Sequence, residues 1–109
     1  MSHPDVNGET ITTNEFSLNL ARASLEKGGE EIHLTPKECR LLALLIQNAG
    51  TVVSRRTFMK KVWNTDYIGD TRTLDVHICW LRQKVEDDPS IPSRIVTKRG
   101  QGYQLRLAD

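Results

Sequence analysis

The chain has 109 residues, 38% hydrophobic and 27% charged, with a formal net charge of +1. That length holds one compact core, and the composition is that of a globular protein rather than a disordered, collagenous or disulfide-dense one. The longest apolar run, Leu41 to Ile46, is far short of a membrane span, and Met1 to Gly8 shows no basic segment leading into an apolar stretch, so no secretory signal is read there.

The small net charge conceals a split. Residues 1–34 carry two basic side chains, Arg22 and Lys27, against six acidic ones, a net of −4. Residues 35–109 carry thirteen basic against eight acidic, a net of +5. An acidic front and a basic back suggest one face suited to a polyanion and another suited to something else.

In chain order, residues 1–8 read as a tail or linker and residues 9–109 as one domain. From Thr10 to Leu34 the apolar residues alternate: Phe16, Leu18 and Leu20 are separated by Ser17 and Asn19, and Ile32 and Leu34 flank His33. Lys27-Gly28-Gly29 is a hairpin turn signal, so the spacing predicts three or four short antiparallel strands with one buried face. Thr35-Pro36-Lys37-Glu38 then starts a helix with an N-cap threonine, a first-position proline and a glutamate placed to close a capping box. That helix, to about Asn48, is apolar almost all round and is expected to be central and buried. Thr51-Val52-Val53 reads as a short extended link.

Ser54 is expected to cap a second helix through about Trp63, with Thr57 where a glutamate would complete a capping box. Arg55 and Arg56 lie in its first turn, where the helix dipole disfavours cations. Either a phosphate sits nearby and removes the conflict, or both arginines are simply solvated. Asn64 to Asp70 reads as a loop, and a third helix begins at Asp70 or Thr71 and runs to Glu86. Asp87-Asp88-Pro89 stops it, and closing strands are expected over 93–98 and 102–107 around a Gly100-Gln101-Gly102 turn.

On the third helix, Leu74, Ile78, Leu81 and Val85 fall on one stripe that must face the core. The opposite side then carries Arg72, Val76, Cys79 and Gln83, with Thr73 and Trp80 along one edge. A helix of this length fits a major groove. Arg and Gln hydrogen-bond guanine and adenine edges, Val touches a thymine methyl, and a threonine near the helix start suits a phosphate oxygen. Lys98 and Arg99 at the hairpin tip can reach backbone phosphates.

With helix, loop, helix and hairpin in place, the chain from about Thr10 to Leu107 resembles the OmpR/PhoB-type winged helix-turn-helix, the effector domain of many bacterial two-component response regulators. The residues that carry the likeness are Leu34-Thr-Pro-Lys-Glu38 with Leu41-Leu42, Val53-Ser-Arg55 and Val62-Trp63. They continue through Arg72-Thr-Leu-Asp-Val-His-Ile78, Leu81-Arg82 and Lys84, and end with Ile95-Val-Thr-Lys-Arg-Gly-Gln-Gly-Tyr103. The resemblance implies an α+β fold: an N-terminal four-stranded antiparallel sheet, a three-helix core and a C-terminal β-hairpin wing.

It also implies sequence-specific binding of double-stranded DNA, with the third helix in the major groove and the wing at the minor groove. By position, Arg72, Thr73, Val76 and His77 match groove- or phosphate-facing places, Arg82 a backbone-contacting place, and Thr97 and Arg99 wing contacts. Arg55, Arg56, Trp80, Gln83 and Lys98 complete the candidate DNA-binding set. The loop Asn64, Thr65, Asp66, Tyr67, Ile68, Gly69 and Asp70 matches the segment that touches RNA polymerase. Such proteins use direct-repeat half-sites, alone as monomers or head to tail as dimers on DNA. No receiver domain is visible, so the chain is read either as an excised effector domain or as a stand-alone regulator.

Two positions depart from the family's pattern. Cys79 and Trp80 stand where many relatives carry basic residues, which should lower non-specific affinity and its salt dependence. Trp80 either meets a sugar or thymine methyls, or folds back against Lys84 or a neighbouring element. His77 either packs and caps or meets phosphate.

Other functions find less support. The histidines His3, His33 and His77 are scattered, and no P-loop, paired carboxylates or metal-ligand spacing occurs. No enzyme activity, cofactor or metal is therefore expected. Cys39 and Cys79 are expected to be reduced thiols in a cytoplasm, the alternative being a disulfide between helices. The competing function is a winged helix that binds protein without specific DNA recognition.

Overall fold

The computed structural model describes residues 10–107; the predicted tail 1–8, with His3, lies outside them. The N-terminal sheet is a meander of β1 (Thr10–Thr12), β2 (Phe16–Asn19), β3 (Ser24–Lys27) and β4 (Glu30–His33), in that spatial order and antiparallel throughout. Ile11 pairs with Leu18, Leu18 with Leu25 and Leu25 with Ile32, so one apolar rung crosses all four strands. Gly28 and Gly29, with φ of +59° and +83°, form the two-residue turn between Lys27 and Glu30. Both turn positions need φ > 0, which glycine adopts without steric penalty.

Helix α1 (Pro36–Gln47) opens on the expected capping box. The Glu38 backbone N–H donates to Thr35 Oγ1 at 3.1 Å, and Thr35 N–H donates to Glu38 Oε1 at 2.8 Å. Leu41, Leu42 and Leu45 are fully buried, as a central helix requires. Glu38 is buried too, and its Oε1 receives Lys84 Nζ at 2.6 Å, which draws Lys84 inward.

The chain then departs from expectation at the stretch read as an extended link. Val52–Ser54 is a strand, β5, paired antiparallel with the last strand of the molecule's second sheet. That sheet has the order β5-β7-β6, with β6 (Ile95–Lys98) and β7 (Gly102–Leu105) making the hairpin. The closing strands are shorter than the predicted 93–98 and 102–107, because Glu86 organises the approach to β6. Its buried carboxylate accepts the backbone N–H groups of Ser93, Arg94 and Ile95. Gly102 permits the pairing with β5: a Cβ there would lie 2.0 Å from the Val53 carbonyl oxygen.

Helix α2 (Arg55–Trp63) begins directly after β5 and is capped by Ser54, whose Oγ accepts Thr57 N–H at 3.1 Å. The reciprocal half of a capping box is absent, and the Thr57 hydroxyl instead lies 2.9 Å from Ser54 Oγ. Asn64 ends the helix in the left-handed region, φ +54°. Helix α3 (Arg72–Val85) starts one to two residues later and ends one residue earlier than predicted, since Glu86 has left helical geometry. Leu74, Ile78, Leu81 and Val85 are all fully buried, with α3 packed against α1 and α2. Arg94 ties the two halves of the chain together, donating to Glu15 and lying 3.3 Å from Asp87, which also pairs with Lys27.

Candidate nucleic-acid interface

Burying the aliphatic stripe fixes the rotation of α3. Arg72, Val76, Cys79, Trp80 and Gln83 are exposed on its outer side, with Val76 and Trp80 44% and 49% exposed. Thr73, His77 and Arg82 are half-buried at the flanks. A helix surface with two large apolar side chains in water and cations beside them has the make-up of a contact surface.

The outer face is braced on the α2 side by aromatic rings. His77 lies between Trp63 and Trp80, at centroid distances of 5.2 and 4.9 Å, and its Nδ1 is 2.7 Å from the Thr73 carbonyl oxygen. With that carbonyl as acceptor, Nδ1 carries the proton. Lys37 Nζ stands 5.8 Å from the Trp63 ring. Trp80 leans on His77 and not on Lys84, which is drawn off to Glu38, and half its surface stays open.

On the hairpin side, Arg82 joins the helix to β6. Its Nε and Nη2 donate to the Ile95 carbonyl at 3.1 and 2.7 Å, and Nη2 donates to Thr97 Oγ1 at 3.0 Å. Its guanidinium also stacks 5.5 Å from the Tyr103 ring. Arg82 and Thr97 are thus held in one arrangement, and the hairpin cannot pivot on α3 without breaking these bonds. Arg99 is exposed at the tip and Lys98 is half-buried, while Gln101 N–H closes the turn on the Lys98 carbonyl at 2.8 Å. Gly100, at φ +74°, supplies the left-handed residue the turn needs.

The two arginines at the start of α2 separate. Arg56 is exposed. Arg55 corrects the choice posed above between phosphate and solvent, because its guanidinium is engaged inside the protein. Nη1 and Nη2 donate to Asp75 Oδ1 and Oδ2, each at 2.8 Å, while Nε donates to Thr71 Oγ1 at 2.9 Å and Nη2 to the Thr71 carbonyl at 3.0 Å. Asp75 Oδ1 also accepts the Tyr103 hydroxyl at 2.6 Å. The hydrogen bond from Arg55 holds the Asp75 carboxyl below its ordinary range, against the opposing effect of burial. Burial, followed by the bond to Asp75, pushes the Tyr103 phenol up. One carboxylate on α3 therefore gathers α2 and β7 around it. Asp75, Thr71 and Tyr103 were not among the predicted site residues. The one local hint was that Thr71 and Asp75, four apart, share a helix side.

Arg72 is arranged differently. Its side chain is 87% exposed and bonds Asp70, with Nε to Oδ1 at 3.1 Å and Nη2 to Oδ2 at 2.9 Å. Asp70 Oδ1 also accepts the Arg72 backbone N–H at 3.1 Å. Thr71, formally the N-cap residue, makes no side-chain cap of its own. Its hydroxyl is occupied by Arg55, and Asp70 takes over the capping role. Hydrogen bonds from the Arg72 side chain and then its backbone lower the Asp70 carboxyl to about 2.

The loop 64–70 presents Tyr67 and Ile68, 66% and 43% exposed, with Lys60 and Asp66 paired at its base. Cys39 is buried and Cys79 exposed, and both are free thiols. Among the described residues no three His, Cys, Asp or Glu side chains are grouped to hold a metal ion, and no helix is long and apolar enough to cross a membrane.

Three comparisons bear on this arrangement. The family model for "Transcriptional regulatory protein, C terminal" matches residues 29–105. A protein described as a probable transcriptional regulatory protein of Picosynechococcus sp. is 51% identical over 91 residues, and the transcriptional regulatory protein KdpE of Mycobacterium tuberculosis is 42% identical over 95. The matches cover 84% and 87% of this chain but only 36% and 42% of those proteins. The DNA-binding domain of RstA from Klebsiella pneumoniae, solved in complex with the RstA box, superimposes with a TM-score of 0.80 at 30% identity. That match covers 89% of this chain and 96% of the RstA domain.

Proposed function

The chain belongs to the OmpR/PhoB-type family of transcriptional-regulator C-terminal domains, and from that membership we propose that it is the DNA-binding effector domain of a response-regulator transcription factor. The domain occupies residues 9–109, lies in the cytoplasm and performs no chemistry on its ligand. Helix α3 enters the major groove, and the β6–β7 tip, with Arg99 and Lys98, lies at the adjacent minor groove. Arg72, Val76, Trp80 and Gln83 face base edges. Arg56, Thr73 and His77 serve the backbone, and Arg82 with Thr97 holds the wing at a fixed distance from the helix. Arg55 acts from behind, setting α2 against α3. The loop Asn64 to Asp70, with Tyr67 and Ile68 outermost, is the surface offered to RNA polymerase. Two copies bind direct-repeat half-sites head to tail.

One observation carries this reading. The apolar stripe of α3 is completely buried, so the arginine-bearing face is the one left open beside a hairpin to which the helix is hydrogen-bonded.

The test is a titration of the purified chain with a mixed-sequence duplex across a range of salt. Affinity should fall linearly on logarithmic axes, with a slope set by the number of phosphates contacted. Arg99→Ala should weaken binding to every duplex, or selectively to those with A/T-rich flanks if the side chain enters a narrow minor groove. A chain that ignores duplex DNA at all salt concentrations would instead be a protein-interaction module.

A further inference from the structure

The contact between Asp70 and Arg72 assigns Asp70 a role beyond its hydrogen bond to the first backbone N–H of α3. We infer that Asp70 is a positioning residue: it aims the guanidinium of Arg72 so that the open edge meets a guanine. The inference rests on the reading of α3 as the major-groove helix.

An arginine carries five N–H donors on a planar fork. Asp70 takes the side edge, through Nε and one hydrogen of Nη2. Left over is the end edge, formed by Nη1 and the second Nη2 hydrogen. That edge bonds the O6 and N7 acceptors of guanine as a pair, and it is the commonest specific contact between a side chain and a base. The side chain is 87% exposed, so the free edge is open to an incoming duplex.

The carboxylate is itself anchored. Its Oδ1 accepts the Arg72 backbone N–H as well as Nε, so the aspartate is fixed to the first turn of α3 and Arg72 is closed into a compact ring on its own helix. A free arginine loses much rotamer freedom when it is immobilised on a ligand, and restraint before binding removes part of that loss. Arg55 is the internal contrast. There the carboxylate takes the end edge and a threonine takes the side edge, so no edge faces outward.

This role has a sign opposite to plain electrostatics. Removing a negative charge near DNA should raise affinity for every duplex. Removing an aspartate that aims an arginine should lower preference for one base. The experiment is selection of bound duplexes from a random-sequence pool, run with the wild-type chain, Asp70→Asn, Asp66→Asn, Arg72→Ala, and Arg72→Ala with Asp70→Asn. The amide keeps an oxygen to accept the Arg72 N–H, and circular dichroism confirms that α3 persists. Asp66, in the same loop and paired with Lys60, controls for charge alone.

The expected result is a guanine preference at one position that falls roughly three- to tenfold in Asp70→Asn, as for a weakened bidentate pair. Asp66→Asn should leave it unchanged. Arg72→Ala should abolish it, with no further loss on adding Asp70→Asn. Three results would overturn the inference while leaving DNA binding intact. One is an Asp70→Asn chain that gains affinity for all sequences with the guanine preference kept. Another is an Asp66→Asn chain that loses the preference equally. The third is an Arg72→Ala chain with the wild-type preference. A wild-type chain that enriches no duplex would remove the functional reading itself, and the inference with it.

Discussion

Two arginine–aspartate pairs meet at the first turns of α3, and they behave as opposites. Arg55 and Asp75 join two helices, and Tyr103 of β7 adds a third element. Arg72 and Asp70 are two residues apart and join the helix only to its own lead-in loop. Both pairs are bidentate and short, and a count of ion pairs would not separate them. What separates them is which edge of the guanidinium is covered and how many other elements meet the carboxylate. Where every edge is covered the arginine is scaffold. Where one is left open it remains available for recognition.

The comparison fails or sharpens at definite places. Gly102→Ala should have the largest effect. The added Cβ meets the Val53 carbonyl, so β5 must part from β7 and Tyr103 loses its approach to Asp75. A loss of at least about 3 kcal/mol in denaturant unfolding is expected, and a silent substitution would mean that β5 is dispensable.

Asp75→Ala comes next. It strands a half-buried guanidinium and the Tyr103 hydroxyl, and the expected destabilisation is about 1–3 kcal/mol, kept to that range because both side chains of the pair are a third or more exposed. The same pair predicts a pH dependence. The folded Asp75 carboxyl titrates below its unfolded value of 3.8. Its contribution is therefore complete above that value and is lost as pH falls through the folded one. Wild-type stability should decline in acid below roughly pH 5 more steeply than that of Asp75→Asn. Parallel acid limbs would show the pair to be energetically idle.

Arg72→Ala should have the smallest effect on the fold, leaving the denaturant midpoint close to that of the wild type. Its influence should appear only in binding, as a loss of preference at one base position. If Arg72→Ala unfolds the protein as Asp75→Ala does, the two pairs are not different in kind.

The features legible in the sequence share one property: their causes are local. The capping box from Thr35 to Glu38 spans four residues, the Gly28-Gly29 turn spans two, and the stripe from Leu74 to Val85 repeats every three or four. Each follows from backbone geometry before any tertiary contact exists. Strand β5 was not legible because the three residues Val52-Val53-Ser54 acquire strand identity only through distant partners at Gly102 to Gln104. The fate of Arg55 was hidden for the same reason: its acceptor lies twenty residues on and is reached only once α2 and α3 have packed. Asp70 was placed in the loop correctly, but its bond to Arg72 depends on the loop's path, and composition does not fix that path. Trp80 was recognised as out of place, yet its support by His77 and Trp63 needed the relative setting of two helices.

The order β5-β7-β6 has a consequence for how the molecule comes into being. The middle strand of that sheet is the last of the described strands in chain order, so during synthesis β5 and β6 emerge with no backbone partner between them. A ribosome-bound chain that has not yet released Gly102–Leu105 lacks the centre of the sheet and not merely its rim. Helix α3 can coil by then, but the phenol that settles its carboxylate arrives afterwards. A nascent copy is thus expected to lack a settled wing and a settled α3 until Gly102–Leu105 has left the ribosome.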